Sequence, residues 1–179
     1  MNSQERNSFP AINTQRLYLR KLKESDVKQL FALRSNEIVN QFISRPKPKS
    51  IKDISTFIQD RIQDTDIGKI FYWAITLKGN ENLIGTICLW NFSEDNTSAE
   101  IGYDLQPMYF KKGIMSEAMT SIIDFGFTRL NLKAIEAFTH KKNLSSINLL
   151  KRYHFILETN RIDNGFPMNI IFKLSNIKH

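Results

Sequence analysis

The sequence predicts a mixed α/β fold, a central and mostly antiparallel twisted sheet of about seven strands flanked by helices. Three observations carry that reading. First, Ile70 to Leu77, Leu83 to Phe92 and Ser98 to Leu105 are strand-like runs separated by short turns at Lys78 to Asn82 and Ser93 to Thr97. Turns rich in Gly, Asn and Asp at that spacing mark an antiparallel meander. Second, Gly113 opens a segment in which Ile114, Met115, Ala118, Met119, Ile122, Ile123, Phe125 and Phe127 recur mostly at helical spacing, so one helix face is buried for about four turns. Third, extended and helical segments alternate after that helix, which no all-helical or all-strand fold would require.

Taken in order, residues 1 to 13 read as a loose arm. Thr14 to Lys21 alternates polar and apolar residues and suits a half-buried strand. Ser25 or Asp26 then caps a helix carrying Val27, Leu30, Phe31 and Leu33, and Asn36 to Ile43 reads as a second short helix. Ser44 to Ser50 combines prolines with several cations, the composition of a mobile connector. Ser50 and Asp53 form a capping-box pattern with Asp in place of Glu, and Ile51, Ile54, Phe57, Ile58 and Ile62 keep helical spacing until Gly68 stops the run. After the meander and the Gly113 helix, Lys133 to Thr139 reads as a strand and Asn143 to Arg152 as a helix. Phe155 to Asn160 and Met168 to Leu174 read as two final strands around the Asn164-Gly165 turn signal.

A chain of 179 residues with 41% hydrophobic content fits one domain over residues 1 to 179. The polar start lacks the apolar run of a signal peptide, and no apolar stretch reaches the roughly 20 residues that span a bilayer, so the expectation is a cytoplasmic protein without a membrane partner. The lone Cys88 sits in an apolar run and reads as a small core residue. The net charge of +7 favours anionic ligands, but its dense groupings at Arg45 to Lys52, Lys111-Lys112 and Lys141-Lys142 lack interleaved aromatics, which argues against direct nucleic-acid binding. No His, Cys or carboxylate group has metal-ligand spacing, so no metal is expected.

The richest stretch chemically is Tyr109 to Ala118, where a basic turn runs into the apolar helix. The first turn of a helix has unpaired N–H groups and the positive end of the dipole, which attract anions, and Lys111 and Lys112 add cations beside them. By itself this pattern reads equally as a phosphate cradle or as a charged loop before a core helix.

In this setting the chain resembles the GNAT N-acetyltransferases, in particular the RimJ/RimL-like branch that acetylates ribosomal-protein amino termini. The resemblance rests on five matches in order: Thr14 to Phe42 with the opening strand and helices, Leu83 to Ile87 with the second meander strand, Ala99 to Tyr103 with the central strand, Lys111 to Ala118 with the coenzyme loop, and Asn143 to Ser146 followed by Phe155. The sequence departs from the family pattern at Phe110, Lys111 and Met115 in the loop, and at His154, where a glycine commonly precedes the aromatic.

The resemblance implies acetyl-CoA as co-substrate and a sheet splayed in the middle to admit it. Its pyrophosphate would rest on the amides of Lys112, Gly113, Ile114, Met115 and Ser116, with the Lys111 and Lys112 side chains near the outer phosphates. Backbone groups from Tyr103 through Leu105 to Gln106 would bond the pantetheine arm, and an N–H of Tyr103 or Leu105 would face the thioester oxygen. Glu100 would be the base, directly or through a water, unless it is an outward strand carboxylate in a surface ion pair. Ser146 would protonate the leaving thiolate or bind the coenzyme with Asn143, unless its hydroxyl only caps the helix. His140 and His154 match no family role. The implied activity is transfer of acetyl to a primary amine by direct attack in a ternary complex. A protein or peptide N-terminus, such as that of a ribosomal protein, is the leading acceptor. A small-molecule amine or antibiotic acetyltransferase, or a CoA-sensing module without turnover, are the alternatives, and the chain would act as a monomer or homodimer. Trp73, Trp90 and the Arg45 to Lys52 connector would wall the acceptor side, although both tryptophans read equally as core.

Overall fold

The computed structural model describes residues 9–176. Its eight strands form one sheet: β1 (Ile12–Asn13), β2 (Leu17–Lys21), β3 (Phe71–Leu77), β4 (Asn80–Trp90), β5 (Ser98–Leu105), β6 (Ala134–His140), β7 (Ile156–Leu157) and β8 (Asn169–Ser175). Their spatial order is β1-β2-β3-β4-β5-β6-β8-β7, antiparallel throughout except for β5 beside β6. Five helices cover it: α1 (Val27–Ser35), α2 (Glu37–Asn40), α3 (Ile51–Asp66), α4 (Ile114–Thr128) and α5 (Leu144–Arg152).

Because strand side chains alternate in direction, the sheet has two apolar faces and the helices divide between them. Trp73, Ile75, Ile87, Leu89 and Ile101 pack under α4 and α5 through Ala118, Met119, Ile122 and Leu150. Ile70, Tyr72 and Ala74 pack under α1 and α3 through Leu30, Leu33, Ile54 and Ile58. Trp73 is fully buried in the first cluster, so it is core and does not wall an acceptor site. Between β4 and β5 the approach is close: a Cβ at Gly85 would lie 2.5 Å from the carbonyl oxygen of Asp104. Only glycine fits there.

Local signals explain most boundaries. Ser50 Oγ accepts the Asp53 N–H at 3.3 Å and the Asp53 carboxylate accepts the Ser50 N–H at 3.2 Å, which is the reciprocal cap read from the sequence. Asp26, expected as a helix cap, does other work. Its carboxylate turns inward to make a two-pronged ion pair with Arg20 at 2.7 and 2.8 Å and accepts the Lys23 N–H at 2.8 Å. A buried pair of this kind is strongly destabilised by removing one partner.

The expected loose arm of residues 1 to 13 is not loose at its described end. Residues 1–8 lie outside the described residues, but Phe9 packs on Trp73, Trp73 Nε1 donates to Pro10 O at 2.7 Å, and Ile12–Asn13 pair with β2. The penultimate strand is reduced to Ile156–Leu157, and the Asn164-Gly165 turn lies within the long connection to β8 instead of joining two hairpin strands. That connection is held by side chains: Arg161 to Glu136 at 2.5 Å, and Asn169 to Asp163 at 2.8 Å.

His154 sits at the left-handed position that closes α5, with φ of 61°. Its N–H donates to Lys151 O at 3.0 Å and the Phe155 N–H to Leu150 O at 3.1 Å, the two bonds of a Schellman ending. A non-glycine residue thus holds the left-handed conformation that glycine adopts most readily. A side chain costs about 1–2 kcal/mol in that region, offset in part by the greater freedom of glycine in the unfolded chain. His154→Gly should therefore raise stability by about 0.5–1 kcal/mol, seen as a higher urea midpoint at an unchanged slope.

Candidate active site

The start of α4 is an uncapped helix end. Pro107–Tyr109 makes one 3-10 turn, Lys111 takes φ of 59° and Gly113, the residue before α4, takes φ of 73°. Among the described residues, the N–H groups of Lys111 to Ser116 have no acceptor, and the first paired amide is Glu117, which donates to Gly113 O at 3.0 Å. Such a row of free donors at the positive end of a 15-residue helix is an anion site by construction.

Side chains distant in sequence hold this loop. Arg16 donates from Nη1 to Lys112 O at 2.9 Å and pairs through Nε with Glu117 at 2.6 Å. Burial pushes the Glu117 carboxylate up, but hydrogen bonds from Thr14 and Arg16 outweigh it and leave it below the usual range. From the other side, Arg152 Nη1 donates to Ser116 Oγ at 3.2 Å and the Tyr153 hydroxyl to Ser116 O at 2.5 Å. Arg16 is neutralised by Glu117, whereas Lys111, Lys112 and Arg152 have no carboxylate partner among the described residues.

Next to the loop the sheet opens. The pairing of β5 with β6 covers only Ser98–Glu100 against Ala134–Glu136, after which β5 follows β4 to Leu105 and β6 follows β8 to His140. The Gln106 N–H donates to Ile84 O at 2.8 Å and sets the alternation: even residues of β5 bond to β4, while the backbone of Ile101, Tyr103 and Leu105 turns toward the gap. Gln106 is accordingly the exception among the expected backbone donors. Its N–H is spent within the sheet, and its side-chain amide donates to Leu83 O at 3.3 Å.

Across the gap the Tyr103 hydroxyl and Ser146 Oγ lie 2.8 Å apart, and burial pushes the Tyr103 phenol up to about 12 despite that bond. The cap of α5 is Asn143, whose Oδ1 accepts the Ser146 N–H at 3.2 Å. The Ser146 hydroxyl is therefore not the cap and is left to Tyr103.

A cleft of about 570 Å³ passes through the gap and joins the two faces of the sheet. Tyr103, Asn143 and Ser146 line it on the side of α5, and Glu100, Trp90, Tyr72 and Arg45 on the side of α1 and α3. The loop residues 111–116 lie outside this lining. Burial pushes Glu100 up to about 7, with Asp163 and Glu136 reinforcing it and a long 3.5 Å hydrogen bond from Asn91 opposing it. Among the described residues Glu100 has no cation partner, unlike the surface ion-pair residue of the simpler reading; Arg161 pairs instead with Glu136. Cys88 also faces the cleft, where burial raises its thiol to about 12 and removes it as a nucleophile. His140 stacks on Phe42, and its Nδ1 accepts the Lys142 N–H at 3.1 Å. The connector from Ser44 to Ser50 is anchored rather than free, since Arg45 reaches Asn40 at 2.8 Å and Asp104 at 2.7 Å. Among the described residues no group of three His, Cys, Asp or Glu is placed to hold a metal ion.

Splayed parallel strands beside a helix with free N-terminal amides are what a nucleotide-bearing thioester needs, and comparison with known proteins decides the family. The acetyltransferase (GNAT) domain family matches residues 16–156. The chain belongs to the GNAT acetyltransferase family. It is 35% identical over 143 residues to the uncharacterized N-acetyltransferase p20 of Bacillus licheniformis, covering 79% of this chain and 80% of that protein. It is 23% identical over 150 residues to a spermidine N(1)-acetyltransferase of Vibrio cholerae, covering 84% of each. The structure of RimL, a ribosomal-protein alpha-N-acetyltransferase, in complex with coenzyme A has the same fold, with a TM-score of 0.80 at 22% identity over 93% of this chain and 98% of that one.

As a GNAT acetyltransferase the protein uses acetyl-CoA, and its own groups suit that ligand. Six free amides, and three cations that have no carboxylate partner among the described residues, suit its phosphates, and a gap lined by strand backbone suits its arm. Arg16, Arg152 and Tyr153 were not visible in the sequence as residues that hold this loop. Each acts on a segment far away in the chain, and none belongs to a local pattern.

Proposed function

We propose that this GNAT acetyltransferase acetylates the α-amine of a protein or peptide N-terminus, by direct attack of the amine on acetyl-CoA within a ternary complex. The observation that carries the reading is the tuning of Glu100 to about 7 in a cleft that opens on the free backbone of β5. An α-amine of pKa about 8 gives its proton to such a base at a cost of about 1.4 kcal/mol, whereas a lysine amine near 10.4 would need more than 4 kcal/mol.

Each group then has one task. The amides of Lys112 to Ser116, with Lys111 and Asn143 at the margins, hold the coenzyme. Glu100 takes a proton from the ammonium, directly or through one water, and so frees the lone pair that bonds to the thioester carbon. The negative oxygen that forms is met by the N–H groups of Tyr103 and Leu105, a contribution of a few kcal/mol where donors are fixed in advance. When the carbon–sulfur bond breaks, the nitrogen releases its remaining extra proton to solvent, while Ser146 gives its proton to the thiolate and takes one from Tyr103, 2.8 Å away, whose phenol is reprotonated from solvent.

Acetyl-CoA at one hundred times its Kd should stabilise the fold by about 2.7 kcal/mol, because a ligand bound only by the native state shifts unfolding by mass action. A flat melting curve in millimolar acetyl-CoA, with ATP as the polyanion control, would remove both catalysis and coenzyme sensing. The acceptor is tested by mass spectrometry of products from free peptides, N-blocked peptides, spermidine and an aminoglycoside. Label on the first residue of free peptides supports the reading; efficient modification of spermidine with inert peptides transfers the protein to the small-amine class.

A further inference from the structure

At the end of the cleft opposite Glu100, three arginines converge from α1, the connector and α3: Arg34, Arg45 and Arg61. Arg61 is paired with Asp64 at 2.7 Å. Arg45 spends Nε on Asn40 and Nη1 on Asp104, but its Nη2 is buried without a partner. Asp104 has nothing left to give: its Oδ2 serves Arg45, and its Oδ1 accepts the Thr86 hydroxyl at 2.6 Å, itself 3.1 Å from the Tyr72 hydroxyl. Arg34 sits over the Phe57 ring, with its guanidinium carbon 4.0 Å from the ring centre, and among the described residues its guanidinium has neither an ion pair nor a hydrogen bond. Burial and the nearby charge of Arg45 both push the Arg34 pKa down. Two guanidinium groups thus share one committed carboxylate, with one positive charge and several donors in excess.

We propose that Arg34 and Arg45 form a carboxylate subsite for the acceptor, and that the favoured substrate carries an acidic side chain on its first or second residue. The proposal rests on the reading of the acceptor as a peptide N-terminus. A planar fork seated on an aromatic ring is preorganised for a carboxylate, which would fill the empty donors and cancel the excess charge. Spacing agrees: Glu100 and Asp104 lie four residues apart on the same face of β5, about 13 Å, so an amine over the midpoint Gly102 lies about 7 Å along the strand from Asp104, which Arg45 holds at 2.7 Å, a span that a neighbouring side chain covers. The same wall repels a polycation.

Two free-amine peptides that differ only by Glu or Gln at the second residue test the subsite in the intact protein. The Glu peptide should have the higher kcat/KM, on the order of tenfold to a hundredfold and chiefly through KM, as expected for hydrogen bonds to charged groups. Arg34→Gln should bring that ratio toward one. Should the variant not fold, N-acetylated forms of the two peptides, used as inhibitors of the unaltered protein, give the same ratio without turnover. A ratio near one overturns the subsite while leaving N-terminal acetylation in place. If neither peptide is acetylated but small amines are, the N-terminal reading fails, and free glutamate against glutamine decides the subsite by the same ratio.

Discussion

Glu100→Gln should lower turnover at pH 7 by about a hundredfold or more while changing the Kd for acetyl-CoA less than about twofold. Positioned bases contribute roughly 10²–10⁴ in rate, and the coenzyme is held by other groups. The pH profile separates this from a structural effect. A base that must be ionised, with its pKa raised from 4.5 to about 7, makes wild-type kcat/KM fall about tenfold per unit below that point. The Gln variant should lose that limb and keep only the ionisation of the acceptor amine, so its defect narrows as the pH falls below about 7. Stability should move the other way. A carboxyl group whose folded pKa is raised contributes stability that is fully present below its ordinary 4.5 and is lost as the pH rises through about 7. At pH 8 the variant should exceed the wild type by on the order of 1–2 kcal/mol after allowance for partial solvent screening, and at pH 4 the difference should vanish. Equal turnover of the two proteins at pH 7 would leave Glu100 an ordinary strand carboxylate.

The parts of the molecule legible in the sequence are those written in local chemistry. The capping box at Ser50 and Asp53, the meander turns and the amphipathic run after Gly113 each specify their element within a few residues, and the structure forms each of them, with the first turn tightened from Lys78–Asn82 to Lys78-Gly79 because Asn80 to Asn82 join β4. The Gly113 loop and Glu100 stood out for the same reason. What escaped depends on register and on contacts between distant segments. Whether Gln106 or Leu105 faces the gap is a matter of one step in the alternation of β5, fixed by the bond to Ile84 O and by no residue preference. Arg16 meets Lys112 across 96 positions, and Arg45 meets Asp104 across 59. In sequence both are simply cations in a basic chain. Asn164-Gly165 misled for a related reason. The segment forms a turn, but the side chains of Arg161 and Asp163 hold it as a long loop beside the cleft instead of a hairpin.

Gly113→Val should raise the Kd for acetyl-CoA at least tenfold while lowering the melting temperature by only a few degrees. At φ of 73° a β-branched residue is excluded from its normal range, so the chain must leave the left-handed conformation or carry more than the about 1–2 kcal/mol that an ordinary side chain costs there. Leaving it rotates the neighbouring peptide planes and disperses the free amides that precede Glu117. A Cβ would also lie 3.3 Å from Arg16 Nη2, on a guanidinium already tied to Lys112 O and Glu117, so the clamp must give as well. Little core is lost, because Gly113 is exposed and the apolar face of α4 begins at Ile114. Asn, which tolerates this region, should be intermediate. Lys111→Ala and Lys112→Ala should weaken binding less, and their deficit should shrink as salt rises, since they act by exposed charge whereas the amides act by geometry. Affinity for acetyl-CoA measured by calorimetry on the four variants gives the ranking. Unaltered affinity in Gly113→Val would mean that the phosphates are held by another part of the molecule.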